Sequence, residues 1–254
     1  MPRTPLALAL TLLAWGCDNA EQKPPEVIAP SIVPSSSAPL APARPDLAHC
    51  PGFGPDKNRD RPASDPLKFP ARFGKIVASK PDFVAVITVS GKTLCVDVRD
   101  IWKVENPALS ADERWFEYDW TANEAYGHTL IDRSGEGQEV ETGAKPIAAP
   151  SGNRLASLEM SESEFGSLNG VLVLEVLPKG MKELARIETM PEADINSWRI
   201  DRWRGDNCFE ISSLPVGTIY NDDGSALKGI RRTRFSVQSS SGTWKIASAA
   251  CPAS

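Results

Sequence analysis

The sequence has little of what a zinc or redox site requires. Its two histidines lie far apart, and its five cysteines include no Cys-x-x-Cys pair. Closely spaced cysteines and histidines are the usual pattern of zinc sites and of thioredoxin-type redox sites. We therefore expect neither kind of site, and we predict no cofactor and no bound metal.

Basic charge and a catalytic serine motif are also lacking. The formal net charge is −5, so the chain has no electrostatic footprint for nucleic acid or anionic lipid. The basic run Lys228–Arg234 is interpreted as the charged edge of a strand, which prevents pairing with other chains. No Gly-x-Ser-x-Gly sequence offers a nucleophile elbow. These absences argue against a nucleic-acid partner and against a serine hydrolase of that type.

The apolar stretch near the N-terminus is too short to span a bilayer. Leu6–Ala14 follows Arg3 and leads into Leu13–Cys17, which is the layout of a secretory signal. Leu13–Cys17 resembles the lipobox of bacterial lipoproteins, in which the cysteine becomes the acylated first residue of the mature chain. Two positions depart from that motif, because Ala14 stands where leucine is expected and Trp15 where a small residue is preferred.

The lipobox resemblance implies that residues 1–16 are a signal peptide and that Cys17 carries a diacylglyceryl thioether and an acylated amino group. Two or more acyl chains hold a protein stably on a membrane. The alternative is an ordinary signal or an uncleaved anchor, in which Cys17 is incidental. Asp18 resembles the inner-membrane retention signal of enteric lipoproteins. The implied location is the bacterial cell envelope, with a lipid anchor and the folded domain in the periplasm.

A tether is predicted directly after the cysteine. Residues 18–48 are rich in proline, serine and alanine, with seven prolines and no aromatic residue. Prolines prevent helices and sheet ladders, so we expect disorder with polyproline II character. At about 3.1 Å per residue, the tract reaches at most about 90 Å. Residues 17–48 are therefore predicted to be the lipidated cysteine and its tether, and residues 49–254 a single β-rich globular domain.

Four cysteines remain when Cys17 is set aside. Cys50, Cys95, Cys208 and Cys251 are an even number, which in an oxidising compartment predicts two disulfides. Four cysteines can pair in three ways. We favour Cys50–Cys95 and Cys208–Cys251, because each bridge would close a loop of about 45 residues at one end of the domain.

From about residue 69 the pattern indicates short strands. Runs rich in Val, Ile, Leu, Thr and aromatics alternate with turns of Gly, Asn, Asp and Ser. This spacing predicts a mainly β fold: an antiparallel meander or sandwich, or a partial propeller-like sheet, with one or two short helices. Capping-box patterns at Ser110–Glu113 and Thr121–Glu124 favour helices between residues 108 and 126. The alternative is a strand at Arg114–Trp120.

One segment resembles a known repeat. Ala149–Ala156 is similar to the turn and strand of TolB-type propeller blades, and Val171–Val176 stands where the next strand of such a blade would lie. The resemblance covers residues 149–177, and no second copy of the turn is present. It implies hairpin packing of the propeller kind within this part of the domain.

The candidate binding residues lie in a segment that mixes aromatic and charged side chains. They are Trp198, Arg199, Asp201, Arg202 and Trp203. Aromatic anchors together with arginine forks are typical of recognition surfaces. The same residues also fit the edge of an ordinary β core, in which arginine stacks on tryptophan and pairs with aspartate.

Catalytic sites have weaker support. His128, Asp132 and Ser134 share one face of a predicted strand, but positions four apart are about 13 Å from each other, which is too far for a triad. Glu162 and Glu164 resemble the carboxylate pair of a glycosidase, although neighbouring loop carboxylates are usually solvated.

Calcium sites are no better supported. Glu162 and Glu164 could also bind calcium together with Asp201 and Asp206. Asn221–Ser225 lacks the spacing of a calcium loop and is interpreted as a turn. The leading hypothesis is an envelope-anchored lipoprotein whose β-rich domain binds an envelope protein or glycan. The alternative is an envelope hydrolase that uses His128 and acidic residues.

Overall fold

The mainly β prediction is confirmed. The computed structural model describes residues 44–52, 65–161, 166–191, 196–215 and 231–252, and these residues form fifteen strands in four antiparallel sheets. All of them lie in one compact unit, Ala41–Ser254. The predicted signal peptide, Cys17 and nearly all of the tether lie outside the described residues. Within the described ranges, no helix has the length and apolarity needed to cross a membrane.

Each sheet is a meander in which consecutive strands are neighbours. Sheet A contains β1 (Val77–Ser79), β2 (Phe83–Ile87) and β3 (Thr93–Asp97). Sheet B contains β4 (Lys103–Leu109), β5 (Trp115–Thr121), β6 (Tyr126–Asp132) and β7 (Gln138–Glu141). Sheet C contains β8 (Ile147–Ala148), β9 (Arg154–Glu159), β10 (Gly170–Leu177) and β11 (Gly180–Ile187). Sheet D contains β12 (Asn196–Trp203), β13 (Cys208–Pro215), β14 (Thr233–Ser240) and β15 (Thr243–Ala247).

The helices predicted between residues 108 and 126 are wrong, and the alternative strand at Arg114–Trp120 is confirmed. Strand β5 buries every second side chain, as a half-buried strand does. The Oγ of Ser110 accepts a hydrogen bond from the backbone N–H of Trp115 (2.9 Å). The polar residues that suggested a helix cap therefore close the turn between β4 and β5. Among the described residues, the helical structure is one 3₁₀ turn at Ala71–Phe73.

The four sheets pack face to face in chain order, and three apolar layers hold them together. Residues of sheets A and B form the first layer, which includes Val84, Val86, Phe116, Tyr118 and Ile131. Residues of sheets B and C form the second, which includes Leu130, Leu155, Leu172 and Leu174. Residues of sheets C and D form the third, which includes Ala156, Val171, Val173, Phe209 and Ile211. No core layer joins sheet D back to sheet A in the described part, so each of these sheets has an outer face.

A disulfide closes part of each outer face. The predicted pairing Cys50–Cys95 and Cys208–Cys251 is confirmed. On sheet A, the outer side chains of β2 pack with Cys50 and Leu47 of the preceding segment. On sheet D, the Oγ of Ser236 donates to the carbonyl of Ala249 (2.7 Å). The chain segment after β15 therefore covers one side of the outer face of sheet D, and this segment does not extend over the side near β12.

Candidate recognition face of sheet D

Strand β12 divides the predicted binding segment between two faces of its sheet. Trp198 and Trp203 point into the layer shared with sheet C, where the ring of Trp203 lies 4.6 Å from that of Phe209. Trp203 is 9% exposed, and its Nε1 donates to the carbonyl of Ile147 (3.0 Å). These tryptophans therefore hold β12 in position from the core side of the sheet.

A β-bulge places two charged residues together on the outer face. Ile200 pairs with Ile211 and Arg202 with Glu210, so Asp201 has no opposite residue in β13. At a bulge, two consecutive residues face the same side of the sheet, and the usual alternation of side chains continues before and after them. Asp201 and Arg202 therefore both point outward, while Trp203 still reaches the core. The bulge explains how the segment combines two core-facing tryptophans with an exposed charged group.

The outer face of sheet D contains a charged hollow of about 850 Å³, which we call the arginine hollow. Its lining residues are Arg199, Asp201, Arg202, Glu210, Ser212, Arg231, Arg232 and Arg234. Among the described lining residues, five guanidinium groups stand against two carboxylates, which leaves three positive charges in excess. This excess contrasts with the net charge of −5 for the whole chain.

Ion pairs neutralise the part of the hollow that lies along β12. Arg199 Nε lies 2.7 Å from Asp201 Oδ1. Arg202 and its neighbour Arg204 both donate to Glu210, at 2.7 and 2.8 Å. These hydrogen bonds hold the pKa of Glu210 below its ordinary value. Solvent-exposed pairs of this kind contribute about 0–1 kcal/mol each, so they orient the arginines more than they stabilise the fold.

Arg232 forms the floor of the hollow. Its Nε donates to the Oγ of Ser212 (2.9 Å), and its Nη2 donates to the carbonyls of Ser212 (3.1 Å) and Ser197. Burial and the nearby charge of Arg199 lower the pKa of Arg232, but a guanidinium remains charged at physiological pH. A fixed positive charge therefore lies beneath the more exposed side chains of the rim.

The edge interpretation of the basic run is wrong where the structure describes it. Strand β14 lies between β13 and β15, so it is not an edge strand. Phe235 and Val237 face the core, and Arg234 points away from it. Sequence reasoning missed Arg231, Arg232 and Arg234 as partners of Arg199. The available signal was the alternation of arginine with buried aromatic and β-branched residues.

The candidate catalytic residues are not brought together. Asp132 pairs with Arg114 (2.6 Å), and its Oδ1 accepts the backbone N–H of Ser134 (2.8 Å). His128 instead contacts Asp119, with 2.6 Å between Nδ1 and Oδ1. Glu162, Glu164 and Asn221–Ser225 lie outside the described residues.

His128 belongs to a buried charged cluster between sheets B and C. It is 3% exposed, and its Nε2 lies 3.5 Å from Glu117 Oε2. Burial disfavours its charged form, but hydrogen bonds and charges from Glu117 and Asp119 raise its pKa overall. This arrangement stabilises an imidazolium within the fold and gives a substrate little access to the ring.

The calcium hypothesis finds no grouped ligands in the part of the chain that is described. Asp206 accepts the backbone N–H of Ser151 (3.3 Å), whereas Asp201 pairs with Arg199. Across the described ranges, no three His, Cys, Asp or Glu residues are grouped as a metal ion would need.

Comparison with known proteins leaves the family open. No protein-family model and no curated protein matches the chain. Among solved structures, TolB from Acinetobacter baumannii is similar at 13% identity and a TM-score of 0.28, over 64% of this chain and 36% of the TolB chain. The chain thus spans about a third of the length of that structure, and a likeness of this size assigns neither family nor function. The strands predicted from the blade resemblance are present as β9 and β10.

Proposed function

We propose that this protein is an envelope-anchored binding protein that docks an envelope protein or glycan through the outer face of sheet D. The observation that carries the proposal is the arginine hollow, a concentration of positive charge, on an otherwise acidic chain, that no core cluster of the described residues covers. The third apolar layer uses the opposite face of sheet D, and no apolar layer of the described residues uses this one. Arg199, Asp201 and Arg202 form the contact surface, and Trp198 and Trp203 support it.

The attachment part of the proposal rests on the sequence around Cys17. A lipid on Cys17 and a tether through residue 48 would hold the domain near a membrane while letting it reach about 90 Å. Metabolic labelling with a palmitate analogue tests this part. Label on the natural protein that disappears in Cys17→Ala supports the anchor, and label that survives the substitution contradicts it.

Docking is tested by photo-crosslinking in intact cells. A photoreactive residue in place of Arg204 stands at the rim of the hollow, beside Glu210. The matched control replaces Lys182, an exposed residue on β11 of sheet C. We expect a discrete adduct from position 204 and none from position 182. Equal adducts from both positions, or none from 204, would contradict the docking face.

The hydrolase alternative is favoured by one observation, the contact between His128 and Asp119. A general base also needs a nucleophile or water within reach, and the second ring nitrogen of His128 faces Glu117 instead. Turnover of an envelope substrate that is lost in His128→Gln, while the unfolding midpoint stays the same, would support the hydrolase over the binding function.

A further inference from the structure

The arginines of the hollow stand in two rows on either side of β13. Arg199 and Arg202 belong to β12, and Arg234 belongs to β14, with Arg231 and Arg232 directly before it. Neighbouring strands are about 4.8 Å apart, so the backbones that carry the two rows lie about 10 Å apart. Arg232 extends across β13, because its Nη2 donates to the carbonyl of Ser197 on β12, so guanidinium groups line the width of the hollow and suit a ligand with more than one anionic group.

The two rows differ in how far they are neutralised. The β12 row has carboxylate partners in Asp201 and Glu210. In the described part of the chain, Arg231 and Arg234 make no ion pair, and Arg232 donates to hydroxyl and carbonyl oxygens. The positive excess therefore lies on the β14 side. Guanidinium groups bind carboxylates through two parallel hydrogen bonds, so a carboxylate of a ligand should bind most strongly on the β14 side.

The lining favours protein carboxylates over those of a glycan. None of the described lining residues is aromatic, because Trp198 and Trp203 point to the other face. Sugar rings thus lack the aromatic surface on which they could stack. All five basic lining residues are arginine, the basic residue that is enriched at protein interfaces. A glutamate also carries its carboxylate on a thin methylene arm, which can reach the floor at Arg232.

Building on the docking face proposed above, we infer that the arginine hollow binds an acidic segment of a protein, with its Asp or Glu carboxylates placed between the two arginine rows. The β12 row is already paired with Asp201 and Glu210, so the carboxylates of the segment engage Arg231 and Arg234 most strongly.

Binding of a defined acidic probe tests this inference. The full-length protein in detergent is titrated with fluorescent hexaglutamate at low and at physiological salt. Arg231→Glu with Arg234→Glu is expected to weaken binding at least about tenfold. Lys182→Glu with Arg186→Glu makes the same change in net charge on β11 of sheet C, and it should weaken binding less than about twofold. Arg231→Gln with Arg234→Gln adds no repulsion and should give an intermediate loss.

Two further probes identify the source of the carboxylates. Hexagalacturonate presents the same number of carboxylates on a glycan, and vesicles of phosphatidylglycerol present phosphate. The inference is supported if the protein binds hexaglutamate more tightly than hexagalacturonate and the vesicles, and if the Arg231 and Arg234 substitutions weaken that binding. Tighter binding of hexagalacturonate or of the vesicles overturns it, as does equal weakening in the sheet C control or no binding at all. Crosslinking from position 204 decides the docking face separately, so the two proposals can fail independently.

Discussion

Sheets A and D are the two ends of the same array, and their outer faces differ in chemistry. The outer face of sheet A is apolar, with Phe83 and Ala85 buried against Leu47 and the Cys50–Cys95 disulfide. The outer face of sheet D is charged, and its own disulfide and terminal segment do not line the arginine hollow. A disulfide therefore packs against the apolar outer face of sheet A, whereas the disulfide of sheet D only borders a charged surface.

The two outer faces also differ in how much they contribute to stability. Burial of a phenylalanine side chain such as Phe83 contributes about 2–3 kcal/mol, so covering sheet A stabilises the domain. Exposed ion pairs such as Arg199–Asp201 contribute about 0–1 kcal/mol, so the outer face of sheet D adds little to stability. A cluster of five arginines that stabilises so little is consistent with the proposed docking role of this face.

Removal of the disulfides has the largest expected effect, and it should affect both ends alike. The bridges span 45 and 43 residues, so the chain-entropy model gives each about 4 kcal/mol. Cys50→Ala with Cys95→Ala and Cys208→Ala with Cys251→Ala should lower the free energy of urea unfolding by similar amounts. If only one of the two double variants lost stability, the cysteine-bearing segment at the other end would be held in place by other contacts.

Truncation of an outer side chain should separate the two ends. Phe83→Ala removes a buried ring and is expected to cost about 3 kcal/mol, whereas Arg199→Ala on sheet D should cost less than about 1 kcal/mol. Urea unfolding with the disulfides intact measures both. Equal losses would contradict the distinction between a packed end and a binding end.

The pH dependence of stability should differ between a carboxyl group of the interior and one on the outer face of sheet D. Burial raises the pKa of Glu159, between sheets B and C, to about 7, although the nearby charge of His128 lowers it. The folded state thus binds this proton more tightly than the unfolded chain. Its contribution to stability is complete below pH 4.5 and is lost as the pH rises through about 7. For Glu210, whose pKa is lowered, the contribution is present above pH 4.5 and is lost at lower pH.

The carboxamide variants check these opposite signs. Glu159→Gln should remove about 1–2 kcal/mol of the stability lost between about pH 5 and pH 8, a value reduced for its partial exposure to solvent. Glu210→Gln should leave that window unchanged. Urea unfolding at the two pH values measures both, and an unchanged pH dependence in Glu159→Gln would show that another group, such as His128, dominates it.

Local patterns in the sequence predicted the strands and the disulfides, but they left the faces unresolved. The alternation at Arg114–Trp120 indicated a strand. The capping-box residues beside it favoured a helix instead, because the same residue types also form turns. In β12, the composition predicted a binding segment but not the bulge at Asp201, because a bulge depends on the register with β13. Arg231 and Arg234 lie far from Arg199 in sequence, so strand pairing had to be known before the hollow could be recognised.

The most direct test of the account combines the crosslinker at position 204 with charge reversal on the opposite row. If the excess of arginine on the β14 side docks the partner, Arg231→Glu with Arg234→Glu should reduce the adduct in intact cells at least about fivefold. Lys182→Glu with Arg186→Glu should leave the adduct unchanged. An undiminished adduct in the Arg231 and Arg234 variant, with normal protein levels, would contradict the claim that the arginine hollow is the docking site.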